Sequence, residues 1–99
     1  METSLVKPVR LNSPRNIRRA RKEFCERCGA RAQGGAHHMK SRGSGGGDHP
    51  WNLIQLCGPC HRAAQDYLIP VGELVSIVAR RECATISVVR QAIGLEAPS

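Results

Sequence analysis

Apolar positions recur at helical spacing in the last third of the chain. Leu74, Val75, Ile77 and Val78 mark one apolar face, and Ile86, Val89 and Ile93 mark a second, with Thr85 placed as its N-cap. Upstream, "WNLIQL" reads as a short strand and "GPCHRAAQDYL" as a helix with Pro59 near its start. At the other end, Ser13-Pro14 is a helix start, Ser as cap and Pro at the first helical position. A short, very basic helix through about Glu23 should follow. Residues 1–12, with "LVKPVRL", alternate loosely and suit a flexible or strand-like arm. "CERCGA" makes a tight turn, and a glycine-rich loop, "SRGSGGGDHP", runs from Ser41 to Pro50. No internal repeat is visible beyond two cysteine pairs.

Composition limits how such elements can hold together. A chain of 99 residues with three aromatics (Phe24, Trp51, Tyr67) and ten glycines has little core volume, so a metal or disulfide staple is expected. No run of about 20 apolar residues is present, which argues against a membrane span. The N-terminal stretch lacks an apolar run of signal-peptide length, so a cytoplasmic location is expected. Reducing surroundings disfavour disulfides, which turns the five cysteines into metal ligands plus one spare. The spare, Cys83, is expected to be a small buried hydrophobe.

The net charge of +7 is uneven. Nine Lys or Arg residues lie between Lys7 and Arg31, against Glu23 and Glu26, whereas three basic and four acidic residues follow from Asp66 onward. A basic N-terminal side is a footprint for a polyanion such as a nucleic acid, or else a solvated helix that keeps the chain soluble. Arg15, Arg18, Arg19 and Arg21 are its candidate phosphate contacts. Lys40 and Arg42 flank the glycine loop and either touch phosphate too or are simply solvated.

Cys25-x2-Cys28 and Cys57-x2-Cys60 form two matched knuckles separated by 28 residues. Two such pairs suit a closed tetrahedral thiolate site for structural zinc. A single pair would also fit a thiol redox motif.

Between and just after the knuckles stand His37-His38, then Asn52, then His61 directly behind the fourth cysteine. The stretch "CERCGARAQGGAHHMKSRGSGGGDHPWNLIQLCGPCHRAAQD", residues 25 to 66, resembles the HNH endonuclease family, in particular its small zinc-framed phage and bacterial members. The resemblance implies a small α+β fold: a ββα-metal core stapled by a four-cysteine zinc site, with flanking helices. The corresponding organisation is a basic arm and helix over 1–24, the core over 25–68, and a C-terminal helical segment over 69–99 packing on it.

The resemblance also assigns roles. His37 matches a ligand of a catalytic divalent ion, His38 the general base, and His61 the second ligand. Asn52 matches the central Asn whose amide braces the hairpin loop and helps hold the base. The two histidines need opposite surroundings, one facing metal and one facing water, and adjacent strand positions point to opposite faces. Relatives with three histidine ligands carry the third one turn after His61. Here that position is Gln65, with Asp66 beside it, and the third ligand is open between them. Few protein ligands and an open shell favour Mg2+ or Mn2+, with Ni2+ or Zn2+ compatible with imidazole. Small phage relatives imply an association with terminase subunits and genome packaging. His49 reads as a plain loop residue, and Trp51 as packing against the zinc knuckle.

The function expected is thus metal-dependent DNA cleavage, nicking or double-stranded, with low intrinsic sequence specificity. The alternative is a zinc-stapled module that grips nucleic acid without cutting. Within it, "GELVSIVARRECATISVVRQAIG" could serve as a degenerate helix-turn-helix.

Overall fold

The computed structural model describes residues 11–95. The first ten residues of the expected N-terminal arm, and residues 96–99, lie outside them. Helix α1 spans Pro14–Ala20, strand β1 His37–His38, strand β2 Leu53–Ile54, helix α2 Gly58–Gln65, helix α3 Val71–Glu82 and helix α4 Ile86–Ile93. The two strands pair antiparallel, His37 opposite Ile54 and His38 opposite Leu53, and α2 follows directly. This is a small α+β fold, with the ββα order implied by the resemblance.

Caps set where the helices begin. The Ser13 side chain accepts from the Asn16 N–H at 3.1 Å, with Pro14 starting α1. Thr85 does the same for the Val88 N–H of α4 at 3.1 Å. Helix α1 stops at Ala20, short of Glu23. Arg21 is already extended, and the Lys22 N–H turns to the Gln55 side chain at 3.2 Å. The chain has to leave the helix there to form the first knuckle, closed by a bridge between Phe24 and Arg31.

The "WNLIQL" strand is also shorter than its apolar run. Pro50–Asn52 wind into a 3-10 turn, because the His49 ring Nδ1 accepts from the Trp51 N–H at 3.0 Å. Past Ile54 the chain stays extended but pairs with the knuckle: Glu26 N–H donates to the Gln55 carbonyl at 2.8 Å, and Gln55 N–H to the Glu26 carboxylate at 2.7 Å. Both strand residues of β2 are fully buried, one on each face. Ile54 joins Leu56, Leu74, Val75, Val78 and Val89 in a single cluster, so α3 and α4 share the core of the ββα unit.

Arg81 of α3 fastens this junction. Its Nη1 meets Glu26 Oε1 at 3.0 Å and the Leu53 carbonyl at 3.1 Å, and its Nη2 the Pro50 carbonyl at 3.0 Å. Cys83 corrects an expectation. It is exposed, not buried, and takes a left-handed conformation (φ 55°) as the C-cap of α3.

Candidate active site

Period-2 geometry separates the adjacent histidines. His37 faces His61 of α2, ring centroids 5.0 Å apart and nearly perpendicular. His38 turns to the other side, where its Nε2 lies 2.8 Å from Asp48 Oδ1. Both border an open cleft of about 640 Å³, with Lys40, Arg42, His61, Gln65 and Tyr67 among its other walls.

The helix explains the opposite wall. Cys60 and His61 are successive residues of α2, about 100° apart around the axis, so the sulfur turns inward while the imidazole reaches the cleft. Gln65 follows four residues later on the same face and also borders the cleft. Asp66 is one step further round and lines a different groove with Gly58, Pro59 and Arg62. Of the two residues left open for a third ligand, only Gln65 is in place to face the histidines.

His37 is held neutral. Burial, then the nearby His61 and His38 rings, push its pKa down to about 4. A neutral imidazole keeps the lone pair that a metal ion requires. Two imidazoles and an amide oxygen around an open cleft therefore fit a divalent cation with coordination positions to spare.

Asp48 is the residue that sequence reasoning missed. The residue is 2 % exposed. Oδ2 accepts from the Ser13 N–H at 2.8 Å, and Arg42 reaches Oδ1 and Oδ2 at 3.1 and 3.3 Å. Burial opposes its ionisation, but the His38 hydrogen bond, the Ser13 N–H and the Arg42 charge outweigh this and hold it below the usual carboxylate range. An ionised carboxylate only accepts, so His38 Nε2 carries the hydrogen and a neutral ring has its lone pair at Nδ1. The available signal was a lone acid in a glycine loop of a cationic chain, ten residues past a histidine.

Asn52, 1 % exposed, sits behind the cleft rather than in it. Its Oδ1 accepts from the Lys40 N–H at 2.7 Å, and its Nδ2 donates to the carbonyls of Lys40 and Gly47 at 3.0 and 2.8 Å. The loop is thereby pinned at both ends. Gly46 completes the bracing, since a Cβ there would overlap the Lys40 carbonyl. Lys40 Nζ donates to the Gly94 carbonyl at 3.0 Å, tying α4 to the cleft rim.

The cysteines form a separate centre. The Sγ atoms of Cys25, Cys28, Cys57 and Cys60 all lie within 4.8 Å of one another, with Cys28–Cys57 at 3.6 Å and Cys28–Cys60 at 3.8 Å. Zn–S bonds of about 2.3 Å in a tetrahedron give sulfur–sulfur edges of about 3.8 Å. Cys25 Sγ also receives the N–H groups of Arg27 and Cys28, both at 3.4 Å. Although burial raises its pKa, backbone hydrogen bonds, including these, bring it down to about 6. Burial pushes the Cys60 thiol up, as do its three sulfur neighbours. Four convergent sulfurs of this kind can hold zinc. Arg15, Arg18, Arg19 and Arg21 are exposed along and just after α1, outside the cleft lining.

No helix among the described residues is long and apolar enough to cross a membrane. Comparison with curated proteins and with solved structures gives no significant match. Residues 25–66, the span from the first knuckle through α2, match the family model described as HNH endonuclease. Between its basic helix and its C-terminal helix pair, the chain thus carries a segment similar to the HNH endonuclease family.

Proposed function

We propose that this chain is a metal-dependent DNA endonuclease, nicking or cutting both strands with low intrinsic sequence specificity. The observation that carries this is the division of labour across β1: His37 with His61 on one side, His38 with a buried carboxylate on the other. Asp48 fixes the tautomer of His38, whose Nδ1 takes a proton from the attacking water. The imidazolium that results is stabilised by the same carboxylate. His37 and His61, with Gln65 beside them, would hold a divalent cation, Mg2+ or Mn2+ in preference to Ni2+ or Zn2+. That cation would supply positive charge to the scissile phosphate and the departing oxygen. Asn52 keeps the loop, and hence Asp48, in register. The α1 arginines bind phosphates flanking the cut, and the four cysteines hold a structural zinc.

One observation favours a second reading. Gln65 stands where a third imidazole would complete the ligand set, which weakens the cation site and suits a zinc-stapled module that only binds nucleic acid. Plasmid cleavage by purified protein, compared across Mg2+, Mn2+, Ni2+ and Zn2+, decides between them. Relaxed or linear product that depends on added metal supports the enzyme. Salt-dependent DNA binding with no product under any metal supports the module.

A further inference from the structure

Helix α2 ends on an expensive residue. The Tyr67 N–H donates to the Ala64 carbonyl at 3.1 Å and the Leu68 N–H to the Ala63 carbonyl at 2.8 Å. These paired bonds belong to a helix stop whose left-handed position is ordinarily glycine. Here it is Tyr67, with φ 59°. An L side chain in that conformation crowds its Cβ against the following carbonyl oxygen. Burial of the ring would offset the strain, yet Tyr67 is 90 % exposed, and its hydroxyl has no hydrogen-bond partner among the described residues. The chain has only three aromatics, so packing does not explain why one is held out in solvent.

Its position does. Tyr67 borders the same cleft as His37 and His61, two residues past Gln65, with Val71 and Leu95 beside it as apolar wall and Lys40 and Arg42 as cationic wall. Val71 is itself exposed. An aromatic face on an apolar ledge, next to cations that suit phosphate, is the chemistry that stacks a nucleobase. In an intact duplex the bases already stack on one another. The ring gains a partner only where a base is unpaired.

Resting on the reading of this cleft as a phosphodiester site, we infer that Tyr67 is a stacking platform for an unpaired base beside the scissile phosphate. The cleft accordingly favours single strands, gaps and flaps over intact duplex. The strain at Tyr67 is retained because the backbone there holds the ring, open to solvent, at the edge of the cleft.

The test uses the full chain with its cysteine-bound metal and no added divalent ion, so that binding is read without cleavage. The probes are oligonucleotides of one length, single-stranded or duplex, carrying 2-aminopurine, whose fluorescence reports stacking. The parent should bind the single strand more tightly and change the fluorescence at defined positions. Tyr67→Gly should raise the melting temperature, because it relieves the backbone. The same change should weaken single-strand binding by about 5- to 150-fold, the fold-change that matches loss of one base–aromatic stack, and leave duplex binding nearly unaltered. Tyr67→Phe keeps the ring and should recover the single-strand affinity and the fluorescence change. Undiminished single-strand binding by Tyr67→Gly overturns the inference, as does an equal loss on single strand and duplex. Absence of cleavage by the parent, with these binding differences intact, would refute the nuclease reading and not the stacking one.

Discussion

Replacing Asp48 with Asn tests the least expected part of the site. Both carboxylate oxygens are engaged, Oδ1 by His38 at 2.8 Å and Oδ2 by the Ser13 backbone N–H at 2.8 Å. An amide has one oxygen. The Ser13 donor is fixed, so the oxygen stays with it and the NH2 group faces His38. The imidazole must then offer Nε2 as acceptor and carry its hydrogen on Nδ1, which removes the lone pair that would take the proton from water. Losing a buried charge-assisted hydrogen bond costs about 1.5–3 kcal/mol, part of which is returned because the ionised carboxylate no longer has to be desolvated. A net loss of about 1–2 kcal/mol would lower the melting temperature by roughly 4–16 °C. Cleavage should fall by about 10²–10⁴-fold, the scale of a general base in the wrong tautomer. Single-turnover plasmid nicking at saturating Mg2+ or Mn2+, well below the variant's melting temperature, separates the two effects. Because the folded-state pKa of Asp48 is depressed, its contribution to stability is present above the ordinary carboxylate range and is lost as pH falls through the folded value. The variant should lose that acid limb. Nicking at the parental rate by a folded Asp48→Asn variant would refute the dyad.

Other consequences follow from the same geometry. Elemental analysis should find about one tightly held zinc per chain, and Cys57→Ser should abolish cooperative folding, since a structural zinc site carries free energy comparable with a small domain's whole stability; folded protein without metal would contradict this. Replacing Arg15, Arg18, Arg19 and Arg21 by Ala should weaken binding to all DNA sequences alike and flatten its salt dependence, and unchanged binding would move the electrostatic footprint elsewhere. His37, with its pKa lowered from 6.5 to about 4, stays neutral when folded while the unfolded chain takes up a proton. Stability should therefore fall between those values as pH drops, by about 2–3 kcal/mol in all. Cys25, brought down to about 6, titrates in the same window, so the difference between the parent and His37→Gln in denaturant melts isolates the effect; identical pH profiles would show that His37 is not held neutral by its surroundings.

Much of the fold was legible because its signals are local. Ser13-Pro14 and Thr85 announce helix starts within four residues of themselves, and the apolar spacing of Leu74, Val75 and Val78 marks the buried face of α3. The two knuckles are likewise short motifs read from their spacing, whereas the roles expected of the histidine pair come from the family resemblance. What escaped depends on contacts across the chain. Asp48 owes its importance to His38, Ser13 and Arg42, brought together only once the glycine loop is pinned by Asn52. The early end of α1 is decided by Gln55, 33 residues away. Tyr67 and Cys83 both take the left-handed turn that ends a helix, at positions where no glycine warned of it. Cys83 was misread for that reason: an apolar residue at the end of an apolar helix is placed by the turn, not by its hydropathy.

The central claim is that His37 and His38 divide one site between metal and proton. The most direct measurement is the cleavage rate of His37→Ala, His61→Ala and His38→Ala as a function of Mg2+ or Mn2+ concentration, alongside the parent. His37→Ala and His61→Ala should shift the metal dependence to higher concentration and regain part of the lost rate as metal is added. His38→Ala should keep the parental metal midpoint and stay about 10²–10⁴-fold slow at saturation. The same metal midpoint and the same rate loss in all three variants, or cleavage by His38→Ala at the parental rate, would contradict the account.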